Sequence, residues 1–245
     1  MKKKFLTFLL AICLILPCAF ALTACGKDDD KLTKTQYLTM LNDVSTACEN
    51  YLSSIESKPQ VLAMSYNIND NDYEEVDNEE AMVDMIKANI ALIYLVENIY
   101  SRDDYAVNNG VDEYIVSTLD WTARARMQVN YNKSTNITTI TIYWLSGHDI
   151  QYFIFDINYN YSEEELNSFT ITGLYGTEMS SDFDTRKFKY ENGKLYMLKQ
   201  EVEYYGEFKT DVKNKMLAFR TFNKQMSEMP DYSIEYAGAC ERAGI

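Results

Sequence analysis

The stretch from residue 121 to residue 159 constrains the fold more than any other. Trp121, Ala123, Ala125, Met127, Val129 and Tyr131 share one parity, while Thr122, Arg124, Arg126, Gln128 and Asn130 share the other. Successive side chains of a strand point to opposite faces, so this alternation reads as a strand with one apolar and one wet face. Asn132 to Asn136 turn the chain into Ile137 to Leu145, and Ser146, Gly147, His148 and Asp149 turn it again into Ile150 to Tyr159. In the first of these segments Ile140, Ile142 and Trp144 oppose Ile137, Tyr143 and Leu145; in the second, Phe153, Phe155 and Ile157 oppose Ile150, Tyr152 and Ile154. Both faces of this middle pair are apolar, and strands of that kind need a cover on each side.

Hairpins extend the pattern toward the C-terminus. Ser162 to Glu165 form an acidic turn, and Phe169 to Tyr175 a further strand. Glu191, Asn192, Gly193 and Lys194 then join residues 187–190 to residues 195–198, Asn-Gly being the pair that supplies the two positive-φ positions of a type I′ turn.

Upstream the period is helical. Thr33 and Gln36 fit a capping box, in which the hydroxyl takes the backbone N–H three residues on and the glutamine reaches back. Leu38, Leu41, Val44, Cys48, Leu52 and Ile55 then recur at three- and four-residue spacing up to Lys58 and Pro59, where proline blocks continuation. Asp77 and Glu80 offer a second cap before Met82, Ile86, Ile90, Ile93, Val96 and Tyr100, with Met85, Leu92 and Ile99 widening the apolar face. A last helical spacing runs through Tyr205, Phe208, Val212, Met216, Phe219 and Met226 and stops by Pro230.

The expected architecture is therefore α+β: an N-terminal helix hairpin and a C-terminal helix packed on an antiparallel meander of about five to seven strands. One globular domain spans residues 34–230, and residues 231–245 are an irregular tail. Either the C-terminal helix covers the second face of the sheet, or the sheet curls around an apolar cavity.

The first 25 residues are of another kind. Lys2, Lys3 and Lys4 precede an apolar run from Phe5 to Leu22, and Leu22, Thr23 and Ala24 lead to Cys25 and Gly26. A charged start, an apolar stretch and small residues at its close make a secretory signal. An apolar run of about 18 residues also approaches membrane-spanning length, but Pro17 and the small residues at its end favour the signal. Leu22-Thr23-Ala24-Cys25 resembles the lipobox of bacterial lipoproteins. That resemblance implies cleavage between Ala24 and Cys25, a diacylglycerol on the Cys25 thiol, and a place on the outer face of the cytoplasmic membrane, in the extracytoplasmic cell envelope. Residues 1–24 are then the signal peptide and residues 25–33 a lipidated tether. Gly26 to Thr33 reach at most about 29 Å fully extended, which holds the domain near the bilayer.

Charge excludes other partners. The chain carries a formal charge of −14 at pH 7, which disfavours nucleic acid and anionic headgroups alike. The membrane link must be the lipid. Cys13 and Cys18 leave with the leader, so Cys48 and Cys240 are the candidates for a disulfide in a compartment that permits one. A bridge would pin the C-terminal tail; two independent thiols, with Cys48 on the apolar stripe of its helix, is the other reading.

Catalytic motifs are scarce. A single histidine, His148, excludes sites needing two, and a Ser-His-Asp arrangement would have to run through it. No phosphate loop, dinucleotide fingerprint or nucleophile elbow is present. Asp70, Asp72, Glu74, Glu75, Asp77, Glu79, Glu80 and Asp84 crowd one segment without a lysine or arginine, which is oxygen-rich enough for calcium. Set as an EF-hand from Asn67, however, the loop has Asp72 where glycine belongs and Asn78 where a bidentate glutamate belongs. Acid-pair chemistry would draw on Glu163, Glu164, Glu165, Asp182 and Asp184. Neither case specifies a metal or cofactor, and no catalytic residue is assigned.

The expected function is a non-enzymatic, lipid-anchored lipoprotein whose domain binds a protein or envelope component near the membrane. The alternatives are a carrier of a lipid or apolar ligand in a curled-sheet cavity, and a carboxylate-based enzyme or metal-dependent binder.

Overall fold

In the computed structural model, residues 31–57, 74–76, 80–105, 111–118, 121–177, 184–200, 222 and 224–245 are described. From Thr33 onward the chain forms one compact unit. Helix α1 (Lys34–Glu56) is followed by β1 (Glu74–Glu75) and α2 (Glu80–Ser101). The meander is β2 (Val111–Ser117), β3 (Thr122–Asn132), β4 (Ile137–Ser146), β5 (Asp149–Asn160), β6 (Glu165–Thr177), β7 (Asp184–Glu191) and β8 (Lys194–Gln200), and α3 (Ser233–Ala243) closes the chain. The sheet order is β1-β8-β7-β6-β5-β4-β3-β2, every neighbouring pair antiparallel. The fold is the α+β meander the sequence predicts, with the short β1 added beyond β8.

Local signals explain where the elements begin and turn. The Thr33–Gln36 capping box is formed: the Gln36 backbone N–H donates to Thr33 Oγ1 at 3.2 Å, and the Thr33 N–H donates to Gln36 Oε1 at 2.8 Å. Asn192 and Gly193 take φ of 54° and 76°, the left-handed values a type I′ turn requires.

The helices cover one face of the sheet. On it lie Tyr114 and Val116 of β2, Ala125 and Met127 of β3, Ile140 and Ile142 of β4, Phe153 and Phe155 of β5, Ile171 of β6 and Phe188 of β7, all buried. Their helical partners are the stripes predicted for α1 and α2, including Leu41, Val44, Cys48, Ile86, Ile90 and Ile93, also buried. Leu38 is only half-buried; Tyr37 and Met40 take the places of full burial beside it.

The second face divides in two. Toward the β4–β5 turn, Tyr143, Ile150, Tyr152 and Leu174 form a buried cluster, with Leu145, Ile154 and Phe222 against it. Toward the other end the face is polar, with Thr139 donating to Asp156 at 2.7 Å. The wet face predicted for β3 is covered in part. Arg126 is buried and pairs at 3.4 Å with Glu113 of β2, whose carboxylate also accepts the Lys224 backbone N–H at 3.0 Å. The Arg124 guanidinium sits 4.1 Å from the centre of the Phe222 ring.

One expectation at the C-terminus changes. Residues 231–245 do not form an irregular tail, because residues 233–243 are helix α3. The Asp231 carboxylate accepts the Ser233 N–H at 2.9 Å, and Gly244 ends the helix at φ 74° with its N–H on the carbonyls of Cys240 and Glu241. The buried positions of α3 are Ala239 and Ala243, too small to register as an apolar stripe. Helix α3 lies against α2 and α1: Arg102 pairs with Glu235 at 2.8 Å, Arg242 with Glu97 and Glu49 at 2.9 Å, and Asn98 Nδ2 donates to the Glu235 carbonyl at 3.0 Å. Of the helix expected through Tyr205 to Met226, residues 201–221 lie outside the described residues, and Met226 belongs to a 3-10 turn, Met226–Glu228. The strap leading into α3 also protects the sheet edge. Ile115 of β2 donates to the Pro230 carbonyl and accepts from Tyr232, both at 3.0 Å, which occupies groups that would otherwise template another strand.

Candidate functional site

The helix-covered face is not uniformly filled. At the β4–β5 turn it opens into a cleft of about 500 Å³. The pairing register builds its floor: Trp144 of β4 lies opposite Gln151 of β5, and Gln151 opposite Tyr175 of β6. One row inward Phe153 faces Gly173, and one row outward Ser146 faces Asp149. Ala88 and Leu92 of α2 line the cleft from above, with Tyr236 of α3 and Ile245 at its side.

Small residues make room for the rings. Ala125 stands opposite Trp144, so the indole lies over β3 without a competing side chain. Trp144 meets Trp121 at 5.5 Å and Tyr236 at 5.3 Å between ring centres, both tilted, and Trp121 meets Tyr236 edge-on at 6.2 Å. Across the cleft Tyr175 stands edge-on to Phe153 at 5.3 Å. A Cβ on Gly173 would come within 2.9 Å of the Tyr175 ring. Glycine is therefore what lets that ring lie back over β6 and leave the space above Gln151 open.

The chemistry of this lining is aromatic with a polar rim. Asp149, at the mouth, is the one charged side chain among the described lining residues. Arg186 lies nearby but outside the lining, its guanidinium 5.0 Å from the Tyr175 ring centre. Burial pushes the Tyr175 phenol above its usual range, with Arg186 and Asn89 acting the other way. Burial likewise raises Tyr236, helped by the neighbouring Cys240. Asn89, next to Ala88 on α2, donates through Nδ2 to the Met85 carbonyl at 2.7 Å, while its buried Oδ1 receives no donor.

The residues singled out from sequence lie elsewhere. Ala24 and Cys25 are outside the described residues, as are Asp182, Asn67 to Asp72, and Asp77 to Glu79. Glu75, from the acid-rich segment, is engaged by Lys194 at 2.7 Å and by the Tyr51 hydroxyl at 3.2 Å. Cys48 and Cys240 are free thiols, Cys48 buried in α1 with burial and Glu49 raising its pKa. His148 is exposed in the β4–β5 turn, beside Gly147 at φ 58°. Glu163, Glu164 and Glu165 are exposed at the start of β6, whereas Asp184 opens β7 opposite Tyr175 near the other end of that strand. These acids do not converge. Among the described residues no group of three or more His, Cys, Asp or Glu is placed to hold a metal, and no helix is long and apolar enough to cross a membrane.

The cleft residues themselves read in the sequence as strand core. Their signal was nonetheless present. The chain has two tryptophans, both of apolar parity and both close to the same turn once the 132–136 hairpin is closed. Tyr236 carries no such signal, since its helix has no apolar stripe in the sequence. No family model, no curated protein and no solved structure matches the chain.

Proposed function

We propose that the chain is a lipid-anchored, non-enzymatic lipoprotein of the cell envelope whose domain captures a small ligand in the cleft walled by Trp121, Trp144 and Tyr236. The observation that carries this reading is that cleft: about 500 Å³ of space lined by aromatic rings around a few polar groups, within the size range of small-molecule sites. It lies between helices and sheet, so the ligand seat is not the interior of a curled sheet. Among the described residues the large apolar side chains most open to solvent are Val111, Met226, Ile234 and Ile245. They are spread over β2, the 3-10 turn and the two ends of α3, which favours a small ligand over a protein-sized apolar contact.

The reading is tested by titrating benzyl alcohol into the full chain in detergent and following the two indole N–H signals by NMR. Saturable movement of both supports the cleft as a ligand seat; signals that stay fixed contradict it. The anchor is tested separately. Cys25→Ala abolishes lipid labelling and leaves an uncleaved precursor, and unchanged labelling contradicts the anchor alone.

A further inference from the structure

Aromatic faces in this molecule are repeatedly matched with cations. Arg102 lies over Tyr232 at 5.2 Å, Arg124 over Phe222 at 4.1 Å, Arg186 over Tyr175 at 5.0 Å and Arg242 over Tyr94 at 4.0 Å. Over the group formed by Trp121, Trp144 and Tyr236, as over most other rings, no lysine or arginine lies among the described residues. Indole is the ring that attracts a cation most strongly, because the negative face of its π-system is the largest.

The charge around this group has one sign. Of the described residues lining the cleft, Asp149 is charged, Gln151 and Ser146 are neutral, and none is lysine or arginine. Two described bases close by are already engaged, Arg186 with the Tyr175 ring and Lys87 with Glu56 at 3.2 Å. The buried Oδ1 of Asn89, behind Ala88, is a further acceptor without a donor. A chain of net charge −14 also raises the local concentration of cations rather than anions. Aromatic walls and a carboxylate at the mouth, with no lysine or arginine among the described lining residues, are complementary to a positively charged organic group.

We propose that the ligand of the cleft is an organic ammonium ion, an alkylated amine whose charge rests against Trp121, Trp144 and Tyr236 and is balanced by Asp149. The proposal deepens the reading of the cleft as a ligand seat and rests on it. A neutral molecule of the same shape would gain the apolar contact but not the attraction to the rings.

Choline and its uncharged isostere 3,3-dimethylbutan-1-ol separate the two contributions. Each is titrated into the full chain in detergent, with the indole N–H signals as the readout. The expected result is choline binding about tenfold more tightly than the alcohol. Asp149→Asn and Trp121→Leu should each remove most of that preference, read as the ratio of the two affinities; saturable binding of the alcohol, followed on the Trp144 indole N–H, shows that the cleft is still formed in the variant. Equal affinities for choline and the alcohol overturn the ammonium ion and leave the ligand seat standing. Signals unmoved by either compound overturn both. A preference for choline that survives both substitutions also overturns the proposal, because it places the cation elsewhere.

Discussion

The two ends of the helix-covered sheet face are both built from aromatic residues, and they are put to opposite use. At the β3–β4 turn the rings are tyrosines, packed against one another and tied down by their hydroxyls. Tyr159 donates to Asp43 at 2.7 Å, Tyr161 shares a 2.6 Å hydrogen bond with Thr138, and Tyr131 stands edge-on to Tyr161 at 5.2 Å. At the β4–β5 turn the rings are tryptophans, tyrosines and a phenylalanine that leave about 500 Å³ open between them. A phenol needs a partner when buried, and finding one locks the ring in place. At the tryptophan end the Tyr175 and Tyr236 hydroxyls meet Asn89 and Cys240, but Gly173 and Ala125 remove bulk where the other end adds it. Burial of aromatic surface is thus a source of rigidity at one end and of a recess at the other.

The largest effect that would break this contrast is expected at the packed end. Tyr159→Ala removes a fully buried ring and should cost about 3–5 kcal/mol in denaturant unfolding, with little room for the surroundings to collapse. Tyr236→Ala at the cleft, where the ring is half-buried, should cost about 1 kcal/mol and abolish the indole response to benzyl alcohol. Equal losses at the two sites would remove the distinction.

Alkaline pH is the next lever. Burial pushes Tyr37 up to about 12 from 10, and it also raises Tyr105, Tyr114, Tyr159 and Tyr161. In the unfolded chain these phenols ionise near 10, whereas the fold holds them neutral. Their stabilisation is therefore intact below pH 10 and is lost as the pH rises toward 12 and beyond. Phenolate absorbance should show a fraction of the tyrosines titrating normally and the rest appearing only with loss of the folded circular dichroism. A single unperturbed titration of all tyrosines would contradict the burial of these rings.

Gly173→Ala sharpens the comparison from the cleft side. The new methyl meets the Tyr175 ring, which must move into the space above Gln151. The cost in stability should be about 1–2 kcal/mol, but probe binding should be lost, a result that a purely structural glycine would not give. The smallest effect is expected away from both ends: Thr33→Ala removes the α1 cap and should cost about 1 kcal/mol with binding unchanged.

Much of this fold was legible because it is written in period and turn chemistry. The β3–β5 alternation, the Asn192–Gly193 turn and the Thr33–Gln36 box each depend on a few neighbouring residues. What was not legible depends on pairing across the chain. Strand β2 carries Glu113, a residue that argues against burial until Arg126 and the Lys224 N–H are seen to meet it. Helix α3 buries alanines and is held by Arg102 and Arg242 reaching across to other helices, a stabilisation with no local signature. The cleft was hidden for a related reason. Trp121, Trp144, Tyr175 and Tyr236 come from four elements, and an aromatic residue at a strand position looks the same whether its ring fills a core or borders an opening. The second apolar face was readable as a fact, and its described cover is the Phe222 contact.

The most direct test of the account is the pair of indole N–H signals of Trp121 and Trp144, followed during titration with choline in the parent chain and in Gly173→Ala. The account predicts that both signals move along one saturation curve in the parent and stay fixed in the variant. Indole signals that remain still while amides of the polar sheet face or of the tyrosine end shift would contradict it.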